Sequence, residues 1–491
     1  METHLDEKTR ASPAAASIEG ILRSCVHCGF CLATCPTYQI LGDERDSPRG
    51  RIYLIKALME GKAEGKETRL HLDRCLTCRS CETTCPSGVE YARLLEEGRQ
   101  WVEKTVPRPL GQRVVRTLLK TVLPRPVLFQ TLLNMGRMVR PLLPERWGSA
   151  IPDRQSVGWI PSVRHDRRVV FLAGCVQPAL TPATQGAAQR LLDRLGISGV
   201  VAPGAGCCGA LAHHLGDEEK ALEAMRRNID AWWPLVEQGA EAIVSTASGC
   251  GAEVREYGHA LRHDPAYRER ASRVTELAQD ISEVLIREIG VTLDEQRLTL
   301  KSLGIDSDRS KGRVAFHAPC SLQHGLRLRG GVEQLLRAAG AELTAVEDAH
   351  LCCGSAGTYS ILQPELSGQL KKNKLAALKA GKPEVILSAN IGCQMHLAKD
   401  ETIPVRHWVE WLDDLIPRRA GGGLIPASIV PIFSPWDPRT GSRFRGDDSC
   451  WHCVVPKTGD MPIKAGWNPG TRFPSRITMI RRTCITVSCG S

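Results

Sequence analysis

The stretch CVHCGFCLATCP, residues 25–36, places cysteines at positions 25, 28, 31 and 35 and ends in proline. Fifty residues further on, CLTCRSCETTCP at 75–86 repeats the spacing, with cysteines at 75, 78, 81 and 85. The run C-x2-C-x2-C-x3-C-P is the ligand pattern of proteins that bind two [4Fe–4S] clusters, in which the fourth cysteine of each run binds the other cluster. The two runs predict a two-cluster, α-helical ferredoxin domain over residues 17–100.

The crossed pattern assigns three ligands of each cluster to one run and the fourth to the other. A pair of zinc knuckles is the rival interpretation, but zinc sites use separated pairs of ligands rather than triplets followed by Cys-Pro. Between the runs, DSPRGRIYLIKALMEG predicts a helix with Pro48 near its start and Ile52, Ile55 and Leu58 on one face. The predicted ligands are Cys25, Cys28, Cys31 and Cys85 for cluster one, and Cys75, Cys78, Cys81 and Cys35 for cluster two.

The composition is that of a globular protein with several domains, since 42% of the 491 residues are hydrophobic and 24% are charged. Residues 1–16 are polar, and we expect a flexible N-terminus without a secretory signal. The 20 cysteines are then expected to bind metal in a reducing, cytoplasmic compartment rather than to form disulfides. No run of about 18 apolar residues occurs, so no transmembrane span is predicted.

Residues 101–168 contain 13 Lys and Arg against 4 Asp and Glu, which gives +9 of the formal net charge of +10. Lys and Arg interleaved with Pro and Leu match no nucleic-acid-binding module, and we expect no nucleic-acid partner. The segment predicts a basic helical connector, for which two interpretations stay open. It packs as a helix pair on a neighbouring domain, or it docks onto a partner or an anionic membrane face.

An internal repeat follows the connector. RRVVFLAGC at 167–175 parallels GRVAFHAPC at 312–320, GAGCCGA at 204–210 parallels AHLCCGS at 349–355, and AIVSTASGC at 242–250 parallels VILSANIGC at 385–393. Each copy alternates strands with helices and places cysteines where strands end, which is typical of a parallel, Rossmann-like sheet with ligands at that edge. We predict two Cys-Cys-Gly (CCG) repeats, at 169–300 and 301–418, and an α/β and α+β multidomain fold.

Each repeat offers four thiols, enough for a zinc ion or a further iron–sulfur cluster. A redox-active or structural cysteine set without metal is the alternative. His396 follows Cys393 at metal-ligand spacing and is predicted as a further ligand. Other nearby histidines are expected to be hydrogen-bonded rim residues, namely His213, His214, His317, His324 and His350. The candidate ligands are Cys175, Cys207, Cys208, Cys250, Cys320, Cys352, Cys353, Cys393 and His396.

Motifs for nucleotide cofactors are absent from the sequence, because no GxGxxG opens a βαβ unit and no Walker-type loop occurs. We therefore expect no site for NAD, FAD or ATP in this chain, no catalytic residue, and electron transfer rather than hydride transfer. Residues 419–491 are rich in Pro and Gly and predict a disordered tail. Within it, Cys450, Cys453, Cys484 and Cys489 could mimic a zinc ribbon, a weaker interpretation.

From about residue 18 to about residue 415, the chain resembles the iron–sulfur subunits of bacterial glycolate oxidase. The resemblance rests on the two cysteine runs with DSPRGRIYLIK between them, and on RNIDAWWPLVEQGAEAI, HLCCGSAGTYS and ANIGCQMHLA. It implies FAD-containing partner subunits that oxidise glycolate to glyoxylate. This chain would pass their electrons to a quinone-type acceptor, from a peripheral position on the cytoplasmic face of the inner membrane.

Wider relatives with the same layout include the iron–sulfur subunits of heterodisulfide reductase and anaerobic glycerol-3-phosphate dehydrogenase. In heterodisulfide-reductase-like relatives each repeat ends in Cys-x2-Cys and can hold a noncubane cluster. Here Glu253 and His396 replace the second cysteine, so the occupant of the repeats stays open. Two other functions also stay open: the equivalent subunit of a lactate or anaerobic glycerol-3-phosphate dehydrogenase complex, and a zinc-binding regulatory protein.

Overall fold

The computed structural model describes residues 1–12, 14–63, 65–144, 151–305, 312–399 and 401–416. The tail predicted over 419–491 lies outside these residues, as do Cys450, Cys453, Cys484 and Cys489. Within the described ranges, no helix combines the length and the apolar character that crossing a membrane requires.

The ferredoxin domain is helical and packs around one apolar core. Its central helix begins at Pro48, where the fixed φ of proline suits the first turn, and the Ser47 side chain caps it by accepting from Gly50 N–H. Ile52, Ile55 and Leu58 are buried on one face, which confirms that part of the prediction. The helices span Glu7–Arg10, Ala15–Ser24, Pro36–Leu41, Pro48–Met59, Gly65–Asp73, Ser80–Thr84 and Tyr91–Thr105, with a 3-10 turn at Glu44–Asp46.

The first twelve residues differ from the flexible segment that we predicted over 1–16. Leu5 is buried in the ferredoxin core, and the Asp6 N–H donates to the Met59 carbonyl at 2.9 Å. The His4 N–H donates to the Glu60 carboxylate, also at 2.9 Å. A short capped helix and one apolar side chain therefore cover the end of the central helix. The polar composition of the segment gave no sign of this packing.

The basic connector contains two helices, and ion pairs hold its first helix and the segment before it to both neighbouring domains. Arg108 and Arg116 bind Asp73 of the ferredoxin domain at 2.6 and 2.8 Å. Lys120 binds Asp217 of the first repeat at 2.7 Å. These pairs neutralise part of the positive charge within the molecule and favour packing of the first helix on its neighbours over docking of that helix to an anionic surface. The connector helices span Leu110–Val122 and Pro126–Val139, followed by a 3-10 turn at Arg140–Leu142.

Each repeat contains a four-stranded parallel sheet, as the alternation of strands and helices predicted. The strands are β1 Arg167–Phe171, β2 Ile197–Val201, β3 Ile243–Ser245, β4 Ala278–Asp280, β5 Arg313–His317, β6 Glu342–Leu343, β7 Val385–Ser388 and β8 Val405–His407. Their order is β2-β1-β3-β4 in the first sheet and β6-β5-β7-β8 in the second, so equivalent strands occupy equivalent places. Val170 pairs with Ile243 in one sheet and Ala315 with Ile386 in the other.

A continuous apolar core joins the two repeats. Val169 and Leu192 of the first repeat belong to the same buried cluster as Val314 and Trp408 of the second. The helices of the first repeat span Gln177–Leu180, Pro182–Arg194, Ala210–His214, Glu218–Glu237, Ser248–Val254, Tyr257–Ala260, Arg268–Leu277, Ile281–Ile289 and Leu293–Ser302. Those of the second span Gly331–Ala338, Tyr359–Leu362, Pro364–Lys379, Ile391–Ala398 and Trp408–Asp414, with a π-helical turn at Ser321–Gly325.

The sheets place the candidate cysteines of both repeats at the carboxyl ends of strands. Cys175 and Cys320 follow β1 and β5, and Cys250 and Cys393 lie in the first turns of the helices after β3 and β7. The glycine of the second Cys-Cys-Gly has φ +91°, and a Cβ there would lie 2.7 Å from the Ser367 carbonyl oxygen. Only glycine fits this close approach, which explains the third letter of the motif.

Candidate cluster and metal sites

The first cysteine run borders an open pocket with about 420 Å³ of empty space. Cys28 is exposed, and the apolar side chains of Val26 and Phe30 beside it are 67% and 63% exposed. A group bound here would lie at the surface of the ferredoxin domain. The thiols that line the pocket belong to Cys25, Cys28, Cys31, Cys81 and Cys85.

The second cysteine run lies deeper and includes a thiol from the first. Cys78 and Cys81 lie beside Cys75 and Cys35. Burial raises the pKa of Cys78 and Cys81, and the neighbouring thiols raise it further. Cys85, by contrast, lies with the first run. The structure thus brings the fourth cysteine of each run to the other run, while the assignment of these thiols as ligands stays a prediction.

A buried network of hydrogen bonds surrounds Cys35. Arg51 lies 3.2 Å from the Asp46 carboxylate and donates to the Thr37 hydroxyl at 3.1 Å. The Thr37 oxygen lies 3.3 Å from the Cys35 sulfur, and Arg51 Nη1 lies 3.9 Å from it. Arg74 donates to the other oxygen of Asp46 at 2.8 Å. The guanidinium of Arg51 can neutralise part of the charge of a thiolate, a role that cysteine spacing alone did not indicate.

Distances between ligand atoms separate single-ion sites from cluster sites. With Zn–S bonds of about 2.3 Å, two thiolates on one tetrahedral zinc ion lie about 3.8 Å apart. The structure describes all eight ferredoxin thiols. None of them belongs to a set of three donor atoms that lie within 4.8 Å of one another, which argues against zinc knuckles. Two sets within 4.8 Å do occur among the described residues: His317 with Cys353 and Cys393, and Asp43 with Asp46 and His71.

The acidic set is already neutralised by guanidinium groups. Arg51 lies 3.2 Å from Asp46 and Arg74 lies 2.8 Å from it. Arg45 binds Asp43 at 2.8 Å. A divalent cation would have to displace these cations, so the second repeat holds the stronger candidate for a single-ion site.

The four candidate thiols of the first repeat form a row of contacts, from Cys175 through Cys207 and Cys208 to Cys250. Hydrogen bonds from Cys175 and Cys208 lower the pKa of Cys207, and the same contact raises the pKa of Cys175. Cys175 and Cys250 line a pocket with about 280 Å³ of empty space, beside Leu172. Cys175 and Cys250 can therefore meet a group bound in this pocket, whereas the buried Cys207 and Cys208 do not line it.

The thiols of the second repeat form an equivalent row, from Cys320 through Cys352 and Cys353 to Cys393. The sulfur atoms of Cys320 and Cys352 lie 3.8 Å apart. What differs from the first repeat is an added imidazole, because Cys353 and Cys393 both lie within 4.8 Å of a His317 ring nitrogen. His317, Cys353 and Cys393 are 2%, 1% and 4% exposed, so this donor set is closed to bulk water.

Glu253, which stands where wider relatives have a further cysteine, belongs to a buried carboxylate–imidazole network. His213 Nδ1 lies 2.8 Å from Glu253, and its Nε2 lies 3.4 Å from Glu96. Burial alone would lower the pKa of His213, but the two carboxylates outweigh it and raise this pKa to about 10. Since Glu96 lies in the helix Tyr91–Thr105, the network connects the ferredoxin domain to the first repeat.

His396 does not join the thiols of the second repeat in the way that its spacing predicted. Its Nε2 lies 3.3 Å from the hydroxyl of Ser367, which donates to the Gly354 carbonyl at 2.8 Å. The His396 ring also bonds to the backbone of Cys353, so it lies beside the thiols but outside the set of donor atoms within 4.8 Å. His317, expected to be a hydrogen-bonded rim residue, lies in the donor set instead, and its counterpart in the first repeat is Leu172. That difference between the aligned repeats was the available sequence signal.

The ferredoxin domain meets the second repeat at the second cysteine run. Cys78 lies beside Cys320 and Cys352. The Thr83 hydroxyl lies 2.8 Å from His324 Nδ1. The thiols predicted for cluster two therefore border the second repeat, whereas those predicted for cluster one border the protein surface.

Two family models match the chain. A 4Fe-4S dicluster domain matches residues 21–89, and a cysteine-rich domain matches residues 169–255 and 314–398. The matched ranges contain all 16 candidate cysteines. The helical ferredoxin domain and the two parallel sheets thus coincide with domains known from other proteins.

Several curated proteins are similar to much of the chain. The glycolate oxidase iron-sulfur subunit of Escherichia coli K12 is 52% identical over 419 residues, which is 85% of this chain and 100% of that protein. The probable glycolate oxidase iron-sulfur subunit of Bacillus subtilis 168 is 34% identical over 409 residues, covering 77% and 89%. Lactate utilization protein A of Bacillus velezensis is 30% identical over 232 residues, covering 45% and 89%.

Proposed function

This chain belongs to the family of glycolate oxidase iron–sulfur subunits, and we propose that it carries electrons from FAD-containing subunits, which oxidise glycolate to glyoxylate, to a quinone-type acceptor. The observation that carries the proposal is 52% identity over the whole length of the Escherichia coli relative. The chain is an iron–sulfur, electron-transfer subunit of an oxidoreductase. As a non-flavin subunit, it is not expected to oxidise glycolate by itself.

We propose two [4Fe–4S] clusters with crossed ligands, as predicted from the two cysteine runs. When bound, they supply one-electron chemistry. The chain's own residues prepare the sites. Burial raises the pKa of thiols such as Cys31, to about 11, so metal binding must displace protons. Arg51 places a positive charge 3.9 Å from the Cys35 sulfur, which would offset part of the negative charge of a bound cluster.

The surroundings of the two cysteine runs indicate which side of the ferredoxin domain would contact a partner subunit. Val26 and Phe30 leave an exposed apolar surface around the first run, and apolar side chains at interfaces stabilise association. We propose that a flavoprotein subunit covers this surface. The connector is a second candidate contact, because Leu118 is 60% exposed and Met138 is 76% exposed.

The limits 17–100, 101–168, 169–300 and 301–418 remain our proposed domain boundaries. We further propose that the repeats hold metal at their cysteine sets, as an iron–sulfur cluster or as zinc. A peripheral position at the cytoplasmic face of the inner membrane would bring the chain near a quinone. The partner subunits and the acceptor are part of the same proposal.

A second candidate function is the equivalent role in lactate oxidation. The similarity to lactate utilization protein A favours it, but at 30% identity this similarity covers only 45% of the chain. Glycolate is the better supported donor, because the similarity at 52% identity covers 85% of the chain.

The test is anaerobic purification of the chain together with its co-expressed partner subunits, followed by addition of glycolate, lactate or glycerol-3-phosphate. We expect a brown complex with about eight iron atoms from the ferredoxin domain, reduced fastest by glycolate. Faster reduction by lactate would support the second candidate. A colourless, iron-free zinc protein would overturn both and support a regulatory role.

A further inference from the structure

Three buried donor atoms of the second repeat lie at a spacing that suits one metal ion. A ring nitrogen of His317 and the sulfurs of Cys353 and Cys393 all lie within 4.8 Å of one another. Ligand atoms on one tetrahedral zinc ion, with bonds of about 2.0–2.3 Å, are about 3.3–3.8 Å apart. Small side-chain adjustments would therefore bring all three onto a single ion.

His317 Nε2 is buried without a hydrogen-bond partner in the described part of the chain. A buried polar atom that makes no hydrogen bond carries the full cost of its removal from water. Coordination to a metal would remove that cost. This observation is independent of the spacing and points to the same histidine.

The surroundings support the two sulfur atoms as charged ligands. Asn390 Nδ2 lies 3.5 Å from the Cys393 sulfur and can donate to it. The ammonium group of Lys374 is buried near Cys353 and donates to the Asp348 carbonyl at 2.7 Å. An amide donor and a nearby cation are partners that stabilise thiolates around a metal.

The three donors come from separate parts of the fold. His317 is the last residue of β5, Cys353 follows β6, and Cys393 lies in the first turn of the helix after β7. An ion bound by all three would cross-link the carboxyl edge of the second sheet. The first repeat has Leu172 in place of His317 and contributes no comparable donor set from its described residues.

We propose that the second repeat binds one zinc ion through His317, Cys353 and Cys393. An imidazole nitrogen and thiolate sulfurs that can converge on one ion are the ligands that zinc prefers. Zn²⁺ has no redox chemistry, so the site stabilises the second sheet and does not carry electrons. The inference rests on the proposed metal-binding role of the repeats and not on the identity of the organic substrate.

Metal analysis of the full chain in its complex, purified anaerobically after growth with added zinc, tests this assignment. We expect about one zinc ion per chain beside the iron of the ferredoxin domain, with both sulfur and nitrogen neighbours in the zinc X-ray absorption spectrum. A spectrum without a nitrogen neighbour would contradict the role of His317. This measurement uses the unmodified chain and does not depend on the folding of a variant.

Variants identify the ligands. His317→Leu introduces into the second repeat the leucine that stands at the equivalent position of the first repeat. This variant and Cys393→Ser are each expected to reduce bound zinc at least tenfold. His396→Gln, beside the site but outside the donor set, is the matched control and is expected to retain zinc. Circular dichroism of each variant checks that the sheets remain folded.

The outcomes separate this inference from the proposed function. If iron is present and glycolate reduces it, but zinc is absent or survives His317→Leu, the zinc site is wrong and the proposed function stands. A third iron–sulfur cluster that is lost in Cys393→Ser would equally overturn the zinc assignment. If zinc is present without iron, the proposed function fails and the zinc site stands.

Discussion

The ferredoxin domain and the second repeat use cysteine at two different spacings. In the ferredoxin domain, eight thiols line two neighbouring regions, and none of them belongs to a set of three donor atoms that lie within 4.8 Å of one another among the described residues. In the second repeat, two thiols and an imidazole form such a set. A cubane cluster carries one ligand on each of four irons, whereas a single ion collects all its ligands at one centre. The spacing of donor atoms therefore indicates the cofactor better than the number of cysteines does.

The largest expected effect comes from Cys35→Ser, which tests whether the ferredoxin spacing belongs to crossed clusters. Because Cys35 lies with Cys75, Cys78 and Cys81, the variant should lose the second-run cluster, about half of the iron. Iron analysis and electron paramagnetic resonance of the reduced complex measure the loss.

Cys28→Ser is the matched control for that experiment, because Cys28 lies in the surface pocket of the first run. It should disturb the other cluster. If Cys35→Ser and Cys28→Ser change the same spectral signal, the crossed arrangement is wrong. The spacing of the ferredoxin thiols would then no longer support two clusters with crossed ligands.

Arg51→Met is expected to have the next largest effect. It leaves the buried carboxylate of Asp46 with one cation fewer, and removing one partner of a buried pair typically costs about 3–5 kcal/mol. Arg51 is 1% exposed and Asp46 is 0% exposed. The melting temperature of the cluster absorbance should fall strongly, while zinc in the second repeat should be unchanged.

Arg49→Met provides the control, because the Arg49–Glu44 pair is partly exposed and such pairs contribute about 0–1 kcal/mol. Equal effects of the two variants would contradict the special role of the Cys35 network. Loss of zinc in Arg51→Met would show that the two sites do not fold independently.

The His213 network predicts a moderate dependence on pH where the ferredoxin domain meets the first repeat. Its folded pKa of about 10 lies above the ordinary 6.5, so the folded state keeps a proton that the unfolded chain releases. This contribution, on the order of a few kcal/mol, is complete below pH of about 6.5 and is lost as the pH rises through about 10. Since the pKa of Glu253 is lowered, its own contribution is lost instead as the pH falls into the acidic range.

Melting temperatures between neutral and alkaline pH check this expectation, with His213→Gln as the comparison. The variant should have a lower melting temperature near neutrality and a smaller decline toward alkaline pH. Parallel curves for the two proteins would contradict the network's role. The zinc site is not expected to contribute to this difference.

Deletion of residues 419–491 is expected to have the smallest effect. The alignment covers the whole Escherichia coli relative but only 85% of this chain. The matches to the ferredoxin and CCG family models end by residue 398. Complex assembly and glycolate-dependent dye reduction should be unchanged. Loss of either activity or assembly would assign a function to Cys450, Cys453 or their neighbours.

Patterns over short stretches of sequence were enough to predict the domains and the position of most candidate cysteines. The cysteine runs and the repeated strand–helix alternation indicated the ferredoxin domain, the parallel sheets and the sheet edge that carries Cys175 and Cys320. Contacts between distant residues were missed. His317 meets Cys393, which is remote in sequence, and Arg51 reaches Cys35 only because the helix starting at Pro48 packs against the first run.

Tertiary packing also determines contacts that short-range patterns in the sequence do not show. His396 has the spacing of a metal ligand relative to Cys393, but the helix Ile391–Ala398 brings its ring to Ser367. Leu5 lies in a polar segment but reaches the ferredoxin core. In both cases the partner comes from another element, and a single sequence does not reveal it.

The central claim is that this chain receives electrons from glycolate oxidation, and the most direct measurement adds glycolate to the anaerobic, oxidised complex. Electron paramagnetic resonance then records the iron–sulfur signals, with Cys35→Ser and Cys28→Ser complexes beside the unmodified one. We predict signals from two [4Fe–4S] clusters that appear on glycolate addition, one of which is missing in each variant. Iron–sulfur signals that respond to a chemical reductant but not to glycolate would contradict the claim.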